Sequence, residues 1–184
     1  MNALNIYELP ILDFIRDHLG CKFLDTVLPY ITRLADGGVA WIILAVVLLF
    51  FQKTRKAGLM MGMALIMGLL FGNCILKPLV ARTRPYDVNS DVVLLIKALS
   101  DPSFPSGHTL ASFESAGVLM LTHRKTLGIP ALILAVIIAF SRMYLYVHYP
   151  TDVLAGAILG LIFAYVSFRI VGFLFRKYGK AARA

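Results

Sequence analysis

Long apolar runs without a charge are the feature that most constrains how this chain can fold. Residues 37–52 and 58–76 contain no Asp, Glu, Lys or Arg, and residues 126–147 and 152–175 are nearly as apolar. A lipid bilayer offers no partner to an unpaired backbone N–H or C=O group, so a chain that enters it must form helices or a closed barrel. The runs are too long and alternate too little for barrel strands. The sequence therefore predicts membrane-spanning helices.

The composition agrees with this prediction. Of the 184 residues, 59% are hydrophobic and 15% are charged, and the mean hydropathy is +0.80, whereas soluble domains are about half apolar and about a quarter charged. Because about 20 residues cross the hydrocarbon core as a helix, the chain has the length for five or six spans and none left for a separate soluble domain. Residues 106–122 are less apolar and contain Glu114, which predicts a helix shielded from lipid.

The segment before residue 37 mixes apolar and charged residues in a helix-like pattern. It is predicted to be an interfacial or partly embedded helical segment, and a sixth span stays open. The predicted fold is thus an all-α polytopic membrane helix bundle of five to six spans, with a single membrane-embedded domain over 1–184. Its parts are the N-terminal segment 1–36, the membrane core 37–175 and a basic cytoplasmic tail 176–184.

Basic residues are distributed asymmetrically about the predicted spans. They follow the first and third spans and lie at the C-terminal end of the chain: Lys53, Arg55, Lys56, Arg124, Lys125, Arg169, Arg176, Lys177, Lys180 and Arg183. The positive-inside rule assigns this face and the C-terminus to the cytoplasm, and the loops 77–105 and 142–152 to the extracytoplasmic side. The pattern and the small size fit a bacterial inner membrane protein. Its net charge of +8 is too dispersed to form a continuous basic face, so no nucleic acid partner is predicted.

Three basic residues, Lys77, Arg82 and Arg84, end the second predicted span. Basic residues commonly anchor helices at a membrane boundary, and the cluster can be interpreted as such an anchor. It lies on the predicted outer face, however, where basic clusters are less expected. The cluster therefore favours an anionic partner.

A second cluster, 102–109, begins the third predicted span. Proline and serine are ordinary helix starters, so capping alone is one interpretation. A helix N-terminus also offers free N–H groups and a positive dipole end to a phosphate, and Ser106 and Gly107 would let it come close. His108 would then face the bound anion.

The third cluster joins the fourth and fifth predicted spans and contains Arg142, His148 and Asp152. A single histidine at a membrane boundary is commonly an interfacial residue. Here Asp152 follows His148 by four residues and can accept a hydrogen bond from one ring nitrogen, which leaves the other nitrogen as a nucleophile. Arg142 lies in an apolar run, where an unpaired charge is costly, and so predicts a counter-ion.

The four helix ends that carry these clusters are predicted to lie on one membrane face. Cations, a helix N-terminus, two histidines and a carboxylate suit phosphoryl transfer, in which catalysis is mostly positioning and electrostatic stabilisation. Cys21 and Cys74 lie far apart, and Cys74 is in an apolar run, so neither a disulfide framework nor a metal cluster is predicted. The predicted site uses no metal and no cofactor.

Together the three clusters resemble the tripartite signature of the type 2 phosphatidic acid phosphatase superfamily. The matching residues are Lys77-x6-Arg84-Pro85, Pro105-Ser106-Gly107-His108 and Ser141-Arg142-x5-His148-x3-Asp152. The resemblance, which covers about residues 58–160, implies that His148 attacks phosphorus, that Asp152 orients it, and that His108 protonates the leaving oxygen and then activates water. It also implies a set of groups that hold the phosphoryl oxygens, namely Lys77, Arg84, Arg142, Ser106 and the Gly107 N–H.

The resemblance further implies a lipid phosphate or diphosphate as substrate, with membrane lipids as surroundings. Undecaprenyl pyrophosphate is favoured because the chain is as short as compact bacterial members; phosphatidylglycerophosphate, phosphatidic acid and lipid A phosphates compete with it. Two other functions are open. A lipid carrier or flippase would need only the cations, and a haloperoxidase with a similar site is disfavoured by the membrane embedding. The oligomeric state is open.

Three features fall outside the signature. Arg82 is interpreted as an extra phosphate or headgroup contact, and Glu114 as a buried structural residue rather than a catalytic one. The apolar segment 92–96 is predicted to lie on the membrane surface and to border the route of a lipid tail.

Overall fold

The computed structural model describes the backbone of residues 3–181 and the side chains of residues 5–177. Within these residues the protein is helical and has no strand, which confirms the all-α prediction. The helices are α1 (Ala3–Leu19), α2 (Lys22–Arg33), α3 (Val39–Phe50), α4 (Arg55–Met67), α5 (Lys77–Val80), α6 (Pro85–Val88), α7 (Gly107–Thr122), α8 (Ile129–Tyr144) and α9 (Pro150–Ala181). A π-helical stretch, Gly68–Leu76, joins α4 to α5. The last residues of the predicted basic tail, 182–184, lie outside the described part.

Four helical stretches are long and apolar enough to cross a membrane. They are Lys22–Phe50, Arg55–Val88, Arg124–Tyr144 and Pro150–Lys177, and they match the first, second, fourth and fifth predicted spans. The helix α7, predicted as the third span, has 16 residues and is largely buried against α9, α8 and α4. It is thus shielded by its neighbours as predicted, and the total of five to six spans stays a prediction.

The first stretch is interrupted by a turn. Gly37 and Gly38 have φ values of 58° and 69°, a left-handed conformation that glycine adopts without steric cost. The resulting 3₁₀ turn, Asp36–Gly38, separates α2 from α3. The predicted boundary between residues 36 and 37 therefore falls inside one apolar stretch. The helices α1 and α2 pack against α8, and their depth in the membrane stays a prediction.

Two glycines let α9 approach α7 closely. A Cβ atom added at Gly156 would lie 2.8 Å from the carbonyl oxygen of Ser106, and one added at Gly160 would lie 2.8 Å from that of Leu110. Small residues allow such close backbone contact between membrane helices. The contact places the start of α9 beside the start of α7, where the Ser106 N–H donates to the Asp152 carbonyl at 3.1 Å.

Candidate active site

One cavity of about 1050 Å³ lies where α5, the start of α7 and the turn between α8 and α9 meet. Five of the eight predicted site residues lie on its wall: Lys77, Arg84, Gly107, His108 and His148. The fold thereby brings together residues that lie up to 71 positions apart in the chain, from Lys77 to His148. The other three predicted residues, Ser106, Arg142 and Asp152, are buried behind this wall.

Lys77 and Arg84 share one carboxylate, that of Asp101. Arg84 donates from Nη2 to Asp101 Oδ1 and from Nε to the Asp101 carbonyl oxygen, both at 2.8 Å. Lys77 forms an ion pair with the other carboxylate oxygen, Oδ2. Asp101 was not predicted, because it lies in the long loop and outside all three clusters. The two predicted phosphate-binding cations are therefore held side by side by an acidic residue of the protein.

The charge state of Asp101 follows from these contacts. Partial burial alone raises the pKa of this carboxyl, but the hydrogen bond and charge of Lys77, followed by those of Arg84, outweigh burial and lower the pKa to about 2. Asp101 is consequently ionised at any physiological pH.

Arg142 is the third cation of the site and is almost completely buried. It donates from Nη1 to Thr32 Oγ1 at 2.6 Å. Its Nε and Nη2 groups have no hydrogen-bond partner among the described residues. Its charge acts electrostatically on Lys77, His108 and His148. A buried guanidinium with two free donors is suited to an anionic ligand.

His148 is buried between Arg84 on one side and Ser103 on the other. Its Nε2 atom lies 3.4 Å from Arg84 Nη1, and its Nδ1 atom lies 3.4 Å from Ser103 Oγ. Burial lowers the pKa of His148, the charges of Arg142 and Arg84 lower it further, and the opposing effect of Asp152 leaves it at about 3. The imidazole is therefore neutral and keeps a lone pair, as a nucleophile requires.

Asp152 orients His148 less directly than the spacing suggested. The distance from His148 Nδ1 to Asp152 Oδ2 is 3.6 Å, longer than a hydrogen bond. The same Oδ2 atom accepts hydrogen bonds from Ser103 Oγ at 2.5 Å and from the Tyr149 N–H at 3.0 Å. Ser103 thus contacts both members of the pair. It lies in the second cluster but was not predicted as a site residue.

Arg82 is not a phosphate contact, so that interpretation is wrong. Its five N–H donors are engaged within the protein, by Asn5, Glu8, Thr151 and Asp152. The guanidinium also lies over the ring of Tyr149, 3.8 Å from its centroid. Arg82 instead fixes Asp152 through a contact of 2.6 Å to Oδ1.

Ser106 caps α7, as the capping interpretation proposed. Its side chain accepts hydrogen bonds from the N–H of Thr109 at 3.5 Å and from the hydroxyl of Thr109 at 3.0 Å. Gly107 follows as the first helical residue, and a Cβ atom there would lie 3.2 Å from Asn73 Oδ1. A phosphate contact by Ser106 or the Gly107 N–H stays a prediction.

His108 has a carboxylate partner from the N-terminal part of the chain. Its Nε2 atom lies 2.8 Å from Oδ1 of Asp36, and both residues line the cavity. Asp36, Thr32, Asn5 and Glu8 all contact predicted site residues or Arg82. The N-terminal segment, which adds little to the sequence signature, therefore contributes to the site.

The cavity continues as an apolar groove away from the polar site. Its walls come from α3, α4 and the π-helical stretch, with residues such as Ile42, Val46, Leu59, Met63 and Ile66. The helical path from Gly58 to Lys77 along this groove is at most about 28 Å long, close to the thickness of the hydrocarbon core of about 30 Å. The groove can thus accept a long apolar chain attached to a phosphate.

Glu114 also lies on the cavity wall, although it is six residues beyond His108. It is buried, and its Oε1 atom has no hydrogen-bond partner among the described residues. The burial agrees with the interpretation of Glu114 as a buried structural residue, and the absence of a catalytic role stays a prediction. The carboxylate packs on Gly68, where a Cβ atom would lie 2.1 Å from Oε1.

The apolar segment 92–96 does not border the groove. Leu94, Leu95 and Ile96 are half-buried against Ile15, Leu28 and residues of the turn after α8. From this loop only Leu99 and Asp101 line the cavity. The hypothesis that segment 92–96 borders the route of a lipid tail is therefore not supported by its packing.

Comparison with solved structures gives several proteins of similar fold. The fold resembles a transmembrane PAP2 type phosphatidylglycerolphosphate phosphatase from Bacillus subtilis (TM-score 0.74, 28% identity, 92% of this chain and 87% of that chain). It also resembles Aquifex aeolicus LpxE (TM-score 0.71, 26% identity, 89% of this chain and 95% of that chain). A bacterial vanadium-dependent iodoperoxidase shares the fold (TM-score 0.73) at 18% identity. The fold is thus shared with a transmembrane PAP2 type phosphatase and with LpxE.

The chain belongs to the PAP2 superfamily, whose sequence model matches residues 56–176. This confirms the resemblance seen in the three clusters. An undecaprenyl-diphosphatase from Sulfolobus acidocaldarius is 35% identical over 71% of this chain and 63% of its own length. The undecaprenyl-diphosphatase BcrC of Bacillus subtilis is 33% identical over 79% of this chain and 74% of its own length.

Proposed function

We propose that the protein hydrolyses undecaprenyl pyrophosphate to undecaprenyl phosphate and orthophosphate, without a metal ion, through a phosphohistidine on His148. One observation carries this proposal: a single cavity joins Lys77, Arg84 and both histidines to an apolar groove, whose helical wall is nearly as long as the hydrocarbon core is thick. A soluble phosphate ester would need the polar end alone. The groove favours a substrate with a long chain.

In the first step, a nitrogen of His148 attacks the terminal phosphorus and the bond from phosphorus to the bridging oxygen breaks. The Nε2 atom is favoured, because it faces Arg84, whereas Nδ1 faces Ser103 and Asp152. His108 donates a proton to the leaving oxygen of undecaprenyl phosphate. General acid catalysis of this kind contributes about 10² to 10⁴ in rate.

In the second step, His108 takes a proton from water, and the water oxygen attacks the phosphorus of the phosphohistidine. The P–N bond breaks, orthophosphate leaves, and neutral His148 is restored. The cations Lys77, Arg84 and Arg142 stabilise charge on the phosphoryl oxygens in both steps. Two free donors on Arg142 and the position of Arg84 beside His148 support these roles.

The choice of lipid rests on the relatives and on the groove. Relatives named as undecaprenyl-diphosphatases support the diphosphate, whereas relatives named for phosphatidylglycerophosphate and lipid A support monophosphate substrates. A single polyprenyl chain fits one groove more simply than several acyl chains do. Phosphatidylglycerophosphate, phosphatidic acid and lipid A phosphates are the alternative substrates, and a non-hydrolytic carrier or flippase is the alternative function.

The orientation proposed from the charges places the site at the extracytoplasmic face of a bacterial inner membrane, with the C-terminus in the cytoplasm. A cysteine added at exposed Val93, in the loop next to the site, and one at exposed Lys53, at the other end of α3, form a matched pair of reporters. The native cysteines Cys21 and Cys74 are free and exposed, so both are first replaced by serine. In intact spheroplasts, a membrane-impermeant maleimide should then label only the Val93→Cys variant. Labelling of the Lys53→Cys variant alone would contradict the proposed orientation and indicate the opposite one.

The reaction is tested with purified full-length protein in detergent, chelator, and a panel of lipid phosphates and diphosphates. Phosphate release should be greatest from undecaprenyl pyrophosphate and should disappear in His148→Ala. With substrate labelled in the terminal phosphate, rapid quenching should trap an acid-labile, alkali-stable label on the protein. Activity that chelator abolishes would contradict the metal-free mechanism, and binding without release by wild-type protein would favour the carrier.

A further inference from the structure

His108 lies next to a carboxylate that no part of the sequence signature includes. The Nε2 atom of His108 is 2.8 Å from Oδ1 of Asp36, and the Asp36 side chain is 63% exposed at the wall of the cavity. The contact joins positions 72 residues apart. It thus pairs the second histidine of the site with an acid, as His148 is paired with Asp152.

The backbone around Asp36 is arranged to hold the carboxylate at this point. Asp36 begins the 3₁₀ turn Asp36–Gly38, and the left-handed glycines after it end α2 and start α3. The turn packs on α7, since a Cβ atom at Gly38 would lie 3.8 Å from the Cβ of Ala111, one helical turn beyond His108. Asp36 therefore reaches His108 from a turn anchored on the same helix.

We infer that Asp36 is a positioning residue for His108, which holds one ring nitrogen so that the other nitrogen points at the leaving oxygen of the substrate. A histidine that exchanges a proton in both chemical steps needs a fixed tautomer and ring orientation, and a carboxylate on the opposite nitrogen supplies both. This inference rests on the proposed function. It makes the site a set of two histidine–carboxylate pairs, each assembled across separate helices or turns.

The charges around His108 give this pair a second effect. Lys77 and Arg142 act on His108 from α5 and α8, and His148 and Glu114 line the same cavity. Burial disfavours a protonated imidazole most, and both basic residues add to this effect. The protonated imidazole is the form that donates to the leaving group. Asp36 is the acidic residue in contact with His108 and offsets the basic residues. At a given pH, His108 is therefore protonated more often with Asp36 in place than burial and the basic residues alone would allow.

The test compares Asp36→Asn with wild type on two substrates that differ in how much the leaving group needs a proton. The leaving group of a lipid monophosphate is an alkoxide, so its hydrolysis depends strongly on proton donation by His108. The leaving group of p-nitrophenyl phosphate is a stabilised phenolate, so its hydrolysis depends on that proton only weakly. We expect kcat of Asp36→Asn to fall by about 10- to 100-fold on the lipid monophosphate and by less than about threefold on p-nitrophenyl phosphate. The alkaline limb of the pH–rate profile should move to lower pH.

Two further variants separate positioning from folding. Asp36→Glu should recover part of the lipid activity, because it restores a carboxylate. Asp25→Asn is the matched control: Asp25 accepts a hydrogen bond from a buried tyrosine, Tyr144, at 2.7 Å and lies in the same N-terminal segment, so this variant should keep wild-type kcat on both substrates. Each variant is first checked for a monodisperse peak in detergent.

Several outcomes would overturn the inference. An equal loss on both substrates would show that Asp36 only docks the turn on α7, and an unchanged pH profile with unchanged kcat would show that the contact is idle. If wild-type protein releases no phosphate from any substrate, the proposed function itself fails, which is a different result from an active enzyme that tolerates Asp36→Asn.

Discussion

Oδ1 of Asp101 lies 2.8 Å from Nη2 of Arg84. An acidic side chain of the protein is therefore paired with a basic residue that is proposed to bind substrate phosphate. Because its other oxygen contacts Lys77, the Asp101 carboxylate presents two oxygens to two cations, as a phosphoryl group would. Asp101 is also half-exposed on a loop. It is therefore placed to leave these cations when phosphate arrives and to return when the product departs.

Replacing Asp101 should strengthen inhibition by orthophosphate. In Asp101→Asn the competing negative charge is gone, and we expect the inhibition constant for orthophosphate to fall about tenfold, which corresponds to about 1.4 kcal/mol. Because the pKa of Asp101 is lowered to about 2, the carboxylate stays charged from pH 5 to 8 and the effect should be constant across that range. Exposed Asp87, on the same side of the protein, is the control, and a weaker inhibition in Asp101→Asn would contradict the competition.

Ser103 should affect turnover more than binding. Its hydroxyl contacts Asp152 at 2.5 Å and His148 at 3.4 Å, so Ser103→Ala leaves a buried carboxylate with one donor fewer. Losing a hydrogen bond to a charged group costs about 1.5–3 kcal/mol, and we expect kcat to fall roughly 10- to 100-fold with KM little changed. Ser115→Ala is the matched control, since that buried hydroxyl has no partner in the described part. A change confined to KM would contradict a role of Ser103 in positioning the nucleophile His148.

Arg82 should matter for stability rather than for phosphate binding. In Arg82→Gln, Glu8 and Asp152 lose their ion-pair partner, and breaking a buried pair on one side typically costs about 3–5 kcal/mol. We expect a clearly lower melting temperature in detergent. Arg169→Gln, which removes an exposed guanidinium bonded to Tyr165, should change it little. Partial recovery in the double variant Glu8→Gln/Arg82→Gln would support the explanation, and an unchanged melting temperature in Arg82→Gln would contradict it.

The helical elements and the five site residues on the cavity wall could be predicted because their signals are local. Apolar runs force helices in lipid, and each of the three clusters lies within about a dozen residues, so its side chains share one helix end. The placement of His108 and His148 beside Lys77 followed from alternation of the spans alone. These are the features that hydropathy and short spacing can encode.

The polar partners of the site residues could not be predicted in the same way. Asp36 is 72 residues from His108, and Thr32 is 110 residues from Arg142, so each contact depends on how two distant helices pack. The interpretation of Arg82 failed for the same reason, because Glu8, 74 residues away, takes the guanidinium that appeared to be free. The 3.6 Å between His148 and Asp152 shows a related limit: i,i+4 spacing brings two side chains near each other, but Ser103 from another segment decides which atoms bond.

Substitutions in the groove should affect binding of the lipid chain without affecting the reaction at phosphorus. Gly62 lines the cavity, and a Cβ atom added there would meet nothing within 4 Å, so a larger side chain can enter the groove without displacing the helices. In the series Gly62→Ala, Gly62→Leu and Gly62→Phe, we expect KM for undecaprenyl pyrophosphate to rise with side-chain size, reaching about tenfold for Phe if about 1.4 kcal/mol of chain burial is lost. Values of kcat/KM for p-nitrophenyl phosphate should stay within about twofold of wild type, since that substrate uses only the polar end. A parallel loss on both substrates would mean that the substitution disturbs the site itself and that the lipid chain lies elsewhere.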